Sequence, residues 1–334
     1  MIHEELDGTV VGGYAYEILQ HGKVVVANQH GFARAPWERT DPSLPITIYK
    51  TAPLASISKT ITAVAMLRLW DEKKGRFSLD DPFWPYVERI APHPDPAVKK
   101  ITIRQVLMHQ SGLAVAPDVT SHEELASFLQ KPLARRPGGK FVYQNNNYYL
   151  ARVLLEQIAR EPYTRYVQNH VLHPMGILHM DTRSESEAPM CGYASPGDKG
   201  PGYQFAWDCT KWAGGAGWYG SVDEMVKFMR GLRTRAVLSE RATQMLFDDA
   251  LGFDWEKPGF GKGGDWVFED QTGEGEVHTA VCYFPDDIEA AIVINSAYDQ
   301  GPLELLEDTW RDSLKSPERK RTIARQREGP SKSG

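Results

Sequence analysis

The sequence has few cysteines and no long apolar run. Its 334 residues include three cysteines, Cys191, Cys209 and Cys282, which are widely spaced and form no CxxC or Cys/His metal pattern. A glycine-rich phosphate loop is also missing. We therefore expect reduced, structural cysteines, no metal and no cofactor. No stretch of 18 or more apolar residues occurs, so no segment is expected to span a bilayer.

The chain also lacks an excess of basic charge. Against 44 Asp and Glu stand 38 Lys and Arg, a formal charge of −6, so there is no overall positive field to hold nucleic acid or an anionic membrane surface. Residues 1–8 carry acidic side chains and lack the basic start and apolar core of a signal peptide, which predicts a cytoplasmic protein. Residues 316–334 hold six Lys or Arg and little to bury, which predicts a mobile basic tail.

Strand patterns lie at the two ends of the sequence, and helix patterns lie between them. Residues 10–33 predict a β-hairpin, residues 280–295 predict a second strand-turn-strand unit, and the apolar spacing over 303–314 predicts a terminal helix. The middle of the chain favours four helices, at 101–110, 121–129, 148–158 and 163–172.

These patterns predict an α+β fold, in which an antiparallel sheet built from both ends of the chain is flanked by helices. Residues 1–70 and 215–315 would form the sheet subdomain, and residues 71–214 a mainly helical subdomain. A ligand site is expected in the cleft between the two.

Ser56 and Lys59 lie at the start of a segment that is apolar almost all round from Ile61 to Leu69, which indicates a buried helix. Positions three apart share one helix face, so the lysine amine can reach the serine hydroxyl. Burial disfavours the charged form of a lysine, which makes it able to take the serine proton. Alone, an S-x-x-K pattern is expected about once by chance in a chain of this length.

A second group of polar residues follows the turn at 137–140. Tyr143 and Asn145 are two residues apart and can face one cleft, just before a helix expected to begin near Tyr148. A tyrosine close to a lysine ammonium can act as general base and acid, and an asparagine amide can bind an acyl carbonyl. Read alone, Tyr-x-Asn is a common loop sequence.

Together these segments resemble the serine β-lactamase-related family, which comprises class C β-lactamases, low-molecular-weight penicillin-binding proteins, D-stereospecific peptidases and esterases. The resemblance covers roughly residues 10 to 312 and rests on five segments in order: Ser56-x-x-Lys59, Ile101 to Leu113, Tyr143-x-Asn145, His173-Pro174-Met175-Gly176-Ile177 and Gly214 to Glu224. It implies a β-lactamase/transpeptidase-like fold. It also implies that Ser56 is the acylated nucleophile, that Lys59 and Tyr143 manage its proton, and that Asn145 contacts the substrate carbonyl.

The third motif of that family, Lys/His-Thr-Gly on a strand beside the cleft, has two candidates here. The spacing to the following turn favours Gln271-Thr272-Gly273 over His278-Thr279-Ala280. With the first choice, the backbone N–H of Glu274 would join that of Ser56 in the oxyanion hole. Gln271 is neutral where the family carries a cation for substrate carboxylates, which favours neutral esters or amides.

The sequence leaves open the roles of several further residues. The sequence supports two interpretations equally for a group of four aromatic residues, which could line an acyl pocket or pack in the core. These residues are Trp207, Trp212, Trp218 and Tyr219. His278 could act as a base if it lies near the nucleophile.

The sequence therefore predicts a cofactor-free serine hydrolase that forms an acyl-enzyme with a small ester or amide. The alternatives are a β-lactamase or D-amino-acid peptidase, a biosynthetic acyltransferase or peptide cyclase, and a catalytically silent relative that binds a ligand. Partners other than a small-molecule ester, amide or peptide-like substrate are not expected, and the oligomeric state is left open.

Overall fold

A computed structural model describes residues 2–7, 12–38, 42–73, 75–184, 189–194, 201–254, 259–270 and 273–315. The predicted basic tail at 316–334 lies outside these residues. The strands are β1 (Gly13–Gln20), β2 (Lys23–Arg34), β3 (Leu44–Pro45), β4 (Ala52–Pro53), β5 (Cys191–Gly192), β6 (Tyr203–Gln204), β7 (Tyr219–Gly220), β8 (Phe260–Asp270), β9 (Gly273–Phe284) and β10 (Ile288–Ile294). The α-helices are α1 (Ile2–Leu6), α2 (Ile57–Lys73), α3 (Trp84–Val87), α4 (Ile103–Leu107), α5 (His122–Leu129), α6 (Asn145–Ala159), α7 (Tyr163–Val167), α8 (Val222–Arg233), α9 (Glu240–Asp248) and α10 (Pro302–Lys315).

The main sheet is antiparallel and joins the two ends of the chain. Its strand order is β3-β2-β1-β10-β9-β8, so the amino-terminal hairpin pairs with the carboxyl-terminal strands through β1 and β10. In that pairing Tyr16 is opposite Ile292 and Ile18 is opposite Ala290. The β8–β9 hairpin ends the sheet, and β8 is its edge strand. The predicted amino-terminal hairpin and carboxyl-terminal strand pair are confirmed.

Helices cover both faces of the sheet. The larger apolar core contains α2, which is buried almost all round as its composition predicts, together with α6 and α8. A smaller apolar core on the other face contains residues of α1 and α10, including Leu6, Leu305 and Leu306. The α+β fold is confirmed, whereas the division into two subdomains stays a prediction.

The four helices predicted in the middle of the chain are present, with changed ends. Helix α6 begins at Asn145, three residues earlier than predicted, because Gln144 is extended (φ −159°) and the helical turn starts directly after it. This places Asn145 in the first turn of a helix instead of a loop. The predicted helix at 163–172 divides into α7 and a π-helical turn at Gln168–Leu172. No helix among the described residues is long and apolar enough to cross a membrane.

Candidate active site

Ser56 lies in the turn that leads into helix α2. Ala55 before it is buried and has a φ of +46°, a conformation that non-glycine residues rarely adopt. Two hydrogen bonds hold the turn: Leu54 N–H donates to the Trp218 carbonyl at 2.8 Å, and Trp218 N–H donates to Ser58 Oγ at 3.1 Å. The turn thus presents the Ser56 hydroxyl at the amino-terminal end of a fixed, buried helix.

The Lys59 amine contacts three oxygens. Its Nζ lies 3.0 Å from Ser56 Oγ, 2.8 Å from Asn145 Oδ1 and 2.8 Å from the Gly215 carbonyl oxygen. A neutral amine has two N–H groups and one lone pair. Because the amide and carbonyl oxygens can only accept, they take the two N–H groups and leave the lone pair for the Ser56 hydroxyl.

Burial is the main cause of a lowered pKa for Lys59, whose side chain has no exposed surface. The positive charge of Lys262 lowers this pKa further, while the carboxylates of Asp254 and Asp118 act in the opposite direction. The net pKa lies well below that of an ordinary lysine. Lys59 therefore can act as a base toward Ser56.

Tyr143 is the second group that contacts the Ser56 hydroxyl. Its OH donates to Ser56 Oγ at 2.8 Å, and the amines of Lys59 and Lys262 lie 4.8 and 4.9 Å from the centre of its ring. Burial raises the pKa of Tyr143, although the charge of Lys262 and the hydrogen bond to Ser56 act to lower it. Tyr143 is therefore a neutral phenol at neutral pH and can donate a proton.

His109 supports the Tyr143 loop. It is buried, its ring centre lies 4.7 Å from that of Tyr143, and its Nδ1 accepts from the Gln144 backbone N–H at 3.3 Å and faces Asn147 Nδ2 at 3.1 Å. Burial, assisted by the charges of Lys59 and Lys262, lowers the pKa of His109 to about 3. A neutral imidazole that accepts from the loop backbone supports the position of Tyr143.

Neither predicted third motif lies on the strand beside Ser56. Gln271 and Thr272 lie outside the described residues, and Gly273 and Glu274 pair with Asp270 and Glu269 at the far end of the β8–β9 hairpin. At about 3.3 Å per residue, Glu269 lies roughly 17 Å along β8 from Gly264, the residue that packs against the Ser56 turn. The structure thus places Glu274 far from Ser56, in contrast to the sequence interpretation.

The strand that borders Ser56 carries Lys262-Gly263-Gly264 on β8. A Cβ on Gly264 would collide with the Leu54 carbonyl and would lie 3.1 Å from Ala55 Cβ, so this strand runs directly against the turn. Lys262 is 2% exposed and forms an ion pair with Asp254. The family motif did not identify this segment, because Gly263 stands where the motif has Thr and because the spacing to the 284–286 turn favours residues 271–273.

His278 lies one strand further from Ser56, opposite Asp265. Its Nδ1 is 2.7 Å from Asp265 Oδ1 and its Nε2 is 2.9 Å from Glu276 Oε2. Burial acts to lower the pKa of His278, but the hydrogen bonds and charges of Asp265 and Glu276 outweigh it, and the net pKa is raised. Both ring nitrogens of His278 are engaged by carboxylates, which leaves neither free to accept the Ser56 proton, and Thr279 beside it donates to the Leu54 carbonyl.

A cavity of about 530 Å³ opens beside Ser56 and Asn145. Its walls are mainly aromatic and acidic, formed by Asp118, Trp207, Trp212, Ala216, Asp265, Trp266, Val267 and Phe268. Of the four aromatic residues that the sequence left open, Trp207 and Trp212 line this cavity. Trp218 and Tyr219 are buried in the core, where Trp218 Nε1 donates to Tyr163 OH at 3.0 Å.

A second cavity, of about 350 Å³, is lined by Tyr143 and not by Ser56. Tyr143 and Lys262 line it together with residues that include His109, Phe141, Asp249 and Asp254. In the described part of the chain, no group of three His, Cys, Asp or Glu side chains is placed to hold a metal ion.

The profile of one protein family, Beta-lactamase, matches residues 1–314, which is nearly the whole chain. The chain belongs to the beta-lactamase family. The recognition made from the five sequence segments is therefore confirmed, and it places the protein in a family of serine hydrolases.

Relatives within and around the beta-lactamase family are distant. Protein flp of Staphylococcus aureus is 26% identical over 211 residues, which cover 59% of this chain and 41% of that protein. The chain spans about half the length of the curated relatives it matches.

Among solved structures, the beta-lactamase/D-alanine carboxypeptidase from Pseudomonas syringae aligns with a TM-score of 0.70 at 17% identity, over 92% of this chain and 95% of that one. The structure titled "EstCE1, a hydrolase with promiscuous acyltransferase activity" aligns with a TM-score of 0.68 at 21% identity, over 91% and 95% of the two chains. At these identities the likeness establishes the shared fold.

Within this beta-lactamase fold, the structure brings together the predicted Ser56, Lys59, Tyr143 and Asn145, and it adds residues that the sequence did not single out. Asp118 accepts from Asn145 Nδ2 at 3.2 Å and so orients the amide whose oxygen contacts Lys59. A lone aspartate in a loop gives no sequence signal, because its partner is 27 residues away.

Proposed function

We propose that the protein is a serine hydrolase that forms an acyl-enzyme at Ser56 with a small ester or amide. The observation that carries this proposal is the pair of contacts to Ser56 Oγ, from Lys59 Nζ at 3.0 Å and from Tyr143 OH at 2.8 Å. One contact comes from an amine with a lowered pKa and the other from a phenol with a raised pKa. A base and an acid thus meet at one nucleophile.

Acylation begins when the Lys59 lone pair takes the Ser56 proton and Oγ attacks the substrate carbonyl carbon. The carbonyl π electrons move to oxygen, and backbone N–H groups stabilise that charge. We assign this task to the N–H of Ser56 and to an N–H on the unpaired side of edge strand β8 within Gly264–Trp266. The predicted Glu274 N–H is replaced in this assignment.

The tetrahedral adduct collapses when the bond to the leaving group breaks. Tyr143 donates its phenol proton to the leaving oxygen or nitrogen and regains a proton from the Lys59 ammonium, so the proton balance closes. Water then attacks the acyl-enzyme with the same groups in reversed roles, which releases the acid and restores the Ser56 hydroxyl.

The test is the intact mass of the protein after brief exposure to p-nitrophenyl butyrate, together with p-nitrophenol release. We expect a butyryl adduct or steady turnover in wild type and neither in Ser56→Ala. Ser127→Ala is the matched control, because Ser127 is an exposed serine on helix α5. Equal reaction of wild type and Ser56→Ala would refute the proposal.

A second candidate is hydrolysis of a β-lactam or a D-amino-acid amide, and the position of Lys262 favours it. Lys262 is a cation beside Tyr143, whereas the third motif predicted from the sequence begins with the neutral Gln271. Its charge is already compensated by Asp254, and it is almost fully buried, which favours the ester or amide proposal. Ready hydrolysis of a chromogenic cephalosporin would reverse this preference.

A further inference from the structure

The roles of Tyr143 and Asn145 assign the two cavities to different parts of the substrate. Tyr143 protonates the leaving group in the proposed mechanism, so the leaving group lies on the Tyr143 and Lys262 side, in the cavity of about 350 Å³. The acyl side chain then lies in the cavity of about 530 Å³ that Ser56 and Asn145 line. We call this larger space the acyl cavity.

Three aromatic rings of the acyl cavity pack against one another. The ring centres of Trp207 and Phe268 are 4.8 Å apart and nearly perpendicular, those of Trp266 and Phe268 are 4.9 Å apart and stacked, and Trp207 and Trp266 are 6.2 Å apart. Trp266 and Phe268 belong to edge strand β8, and Trp212 adds a fourth ring to the lining. The faces of such rings carry partial negative charge and attract cations.

The net charge of the groups that face the acyl cavity is negative. Asp118 is exposed and, within the described residues, has no Lys or Arg within ion-pair distance; its carboxylate accepts from the neutral Asn145 amide. Asp265 shares one histidine, His278, with Glu276. Two carboxylates around one imidazole ring leave a net negative charge whether or not the ring is protonated, and the Lys59 amine is engaged by Ser56, Asn145 and Gly215.

We propose that the acyl cavity selects substrates whose acyl group carries an ammonium, with Asp118 as the charge partner and Trp207 and Trp266 as the aromatic walls. This inference rests on the proposed function and names its substrate class. A carboxylate together with several aromatic faces is the combination that recognises alkylammonium groups. An anionic acyl group meets the same cavity with like charge and is excluded.

The probes are two p-nitrophenyl esters of the same shape. One carries 4-(trimethylammonio)butyrate and the other 5,5-dimethylhexanoate, so they differ only in a positive nitrogen against a neutral carbon. We expect kcat/KM to be about tenfold higher for the cationic ester. In Asp118→Asn, which keeps an acceptor for Asn145, we expect the ratio of the two kcat/KM values to fall about tenfold.

The matched control is Asp299→Asn, which removes the same charge at an exposed position beside Tyr298, on the α10 face of the sheet. It separates the local effect of Asp118 from long-range attraction of a cation by an acidic protein. A ratio that stays constant in Asp118→Asn, or one that falls equally in Asp299→Asn, would overturn the inference.

Failure of the proposed function can be told apart from failure of this inference. Binding of 4-(trimethylammonio)butyramide and of neutral 5,5-dimethylhexanamide to Ser56→Ala is followed by tryptophan fluorescence, which needs no turnover. Preferential binding of the cationic amide, lost in the Ser56→Ala/Asp118→Asn double variant, supports the cavity assignment even if no ester is hydrolysed. Turnover of both esters with no preference leaves the hydrolase proposal standing and refutes the cation selectivity.

Discussion

Lys262 and Asp254 carry opposite charges and lie close enough to Lys59 to shift its pKa. Each changes the pKa of the amine that contacts Ser56: the Lys262 charge lowers it and the Asp254 charge raises it. Because only the neutral amine can take the Ser56 proton, activity falls as pH drops below the pKa of Lys59. The pH profile of kcat/KM therefore reports this local field.

Removal of the Lys262 or the Asp254 charge should shift the acidic limb of the pH profile, which is the range in which kcat/KM falls as the pH falls. Lys262→Met raises the pKa of Lys59, so the limb moves to higher pH and kcat/KM at pH 7 falls about tenfold. Asp254→Asn lowers the pKa of Lys59, and the limb moves to lower pH. The measurement is the pH dependence of p-nitrophenyl butyrate hydrolysis for the three proteins. Shifts in the same direction for both variants would contradict the assignment of Lys59 as the base.

Edge strand β8 is the decisive element, because it supplies Lys262 and two aromatic residues of the acyl cavity and runs against the Ser56 turn. Close approach is possible since position 264 has no side chain. A Cβ there would meet the Leu54 carbonyl and would lie 2.7 Å from Thr279 Oγ1. The neighbouring Gly263 has more room, because a Cβ there would have Asp254 Oδ2 as its nearest neighbour at 3.7 Å.

Gly264→Ala should therefore force β8 away from the turn. We expect a loss of about 1–3 kcal/mol in the free energy of unfolding and a larger relative loss of kcat/KM, because the oxyanion donors move away from Ser56. Gly263→Ala, the matched control on the same strand, should change stability by at most about 0.5 kcal/mol. Urea unfolding and ester hydrolysis check both values. An equal response of the two variants would argue against close packing at Gly264.

At the scale of the whole molecule, one buried side chain ties together segments that are far apart in sequence. Asn295 Oδ1 accepts from the Gly13 backbone N–H at 2.6 Å, and its Nδ2 donates to the carbonyls of Phe32 and Cys191 at 2.9 and 2.8 Å. These bonds join the end of β10 to the amino-terminal hairpin and to strand β5 in the middle of the chain. Such a side chain stabilises the arrangement of three segments at once.

Asn295→Ala leaves three buried backbone groups without their partner, and we expect it to cost about 3 kcal/mol of unfolding free energy. Asn28→Ala is the control, because Asn28 Oδ1 accepts a local hydrogen bond from the Gln29 backbone N–H at 2.8 Å. It should cost less than about 1 kcal/mol. Urea denaturation of both variants, followed by tryptophan fluorescence, makes the comparison. Similar losses would mean that Asn295 acts only locally.

The sequence by itself determined the features that local patterns encode. Alternation and turn residues at both ends specified the antiparallel strands, and the all-round apolar run after Ser56 specified a buried helix. The spacing of Ser56 and Lys59 placed an amine beside a hydroxyl, because residues three apart share a helix face. Together with Tyr143-x-Asn145 and the segments at 101–113, 173–177 and 214–224, this motif indicated the family.

Only the tertiary structure decided what depends on contacts between distant segments. It placed Lys262 on the strand beside Ser56, in place of Gln271 or His278, because the register of β8 against the Ser56 turn is set by packing at Gly264. The tertiary structure buries Trp218 and brings Trp207 into ring contact with Trp266, which lies almost 60 residues further along the chain. Charge and shape in the acyl cavity arise from such long-range contacts, which no local sequence pattern specifies.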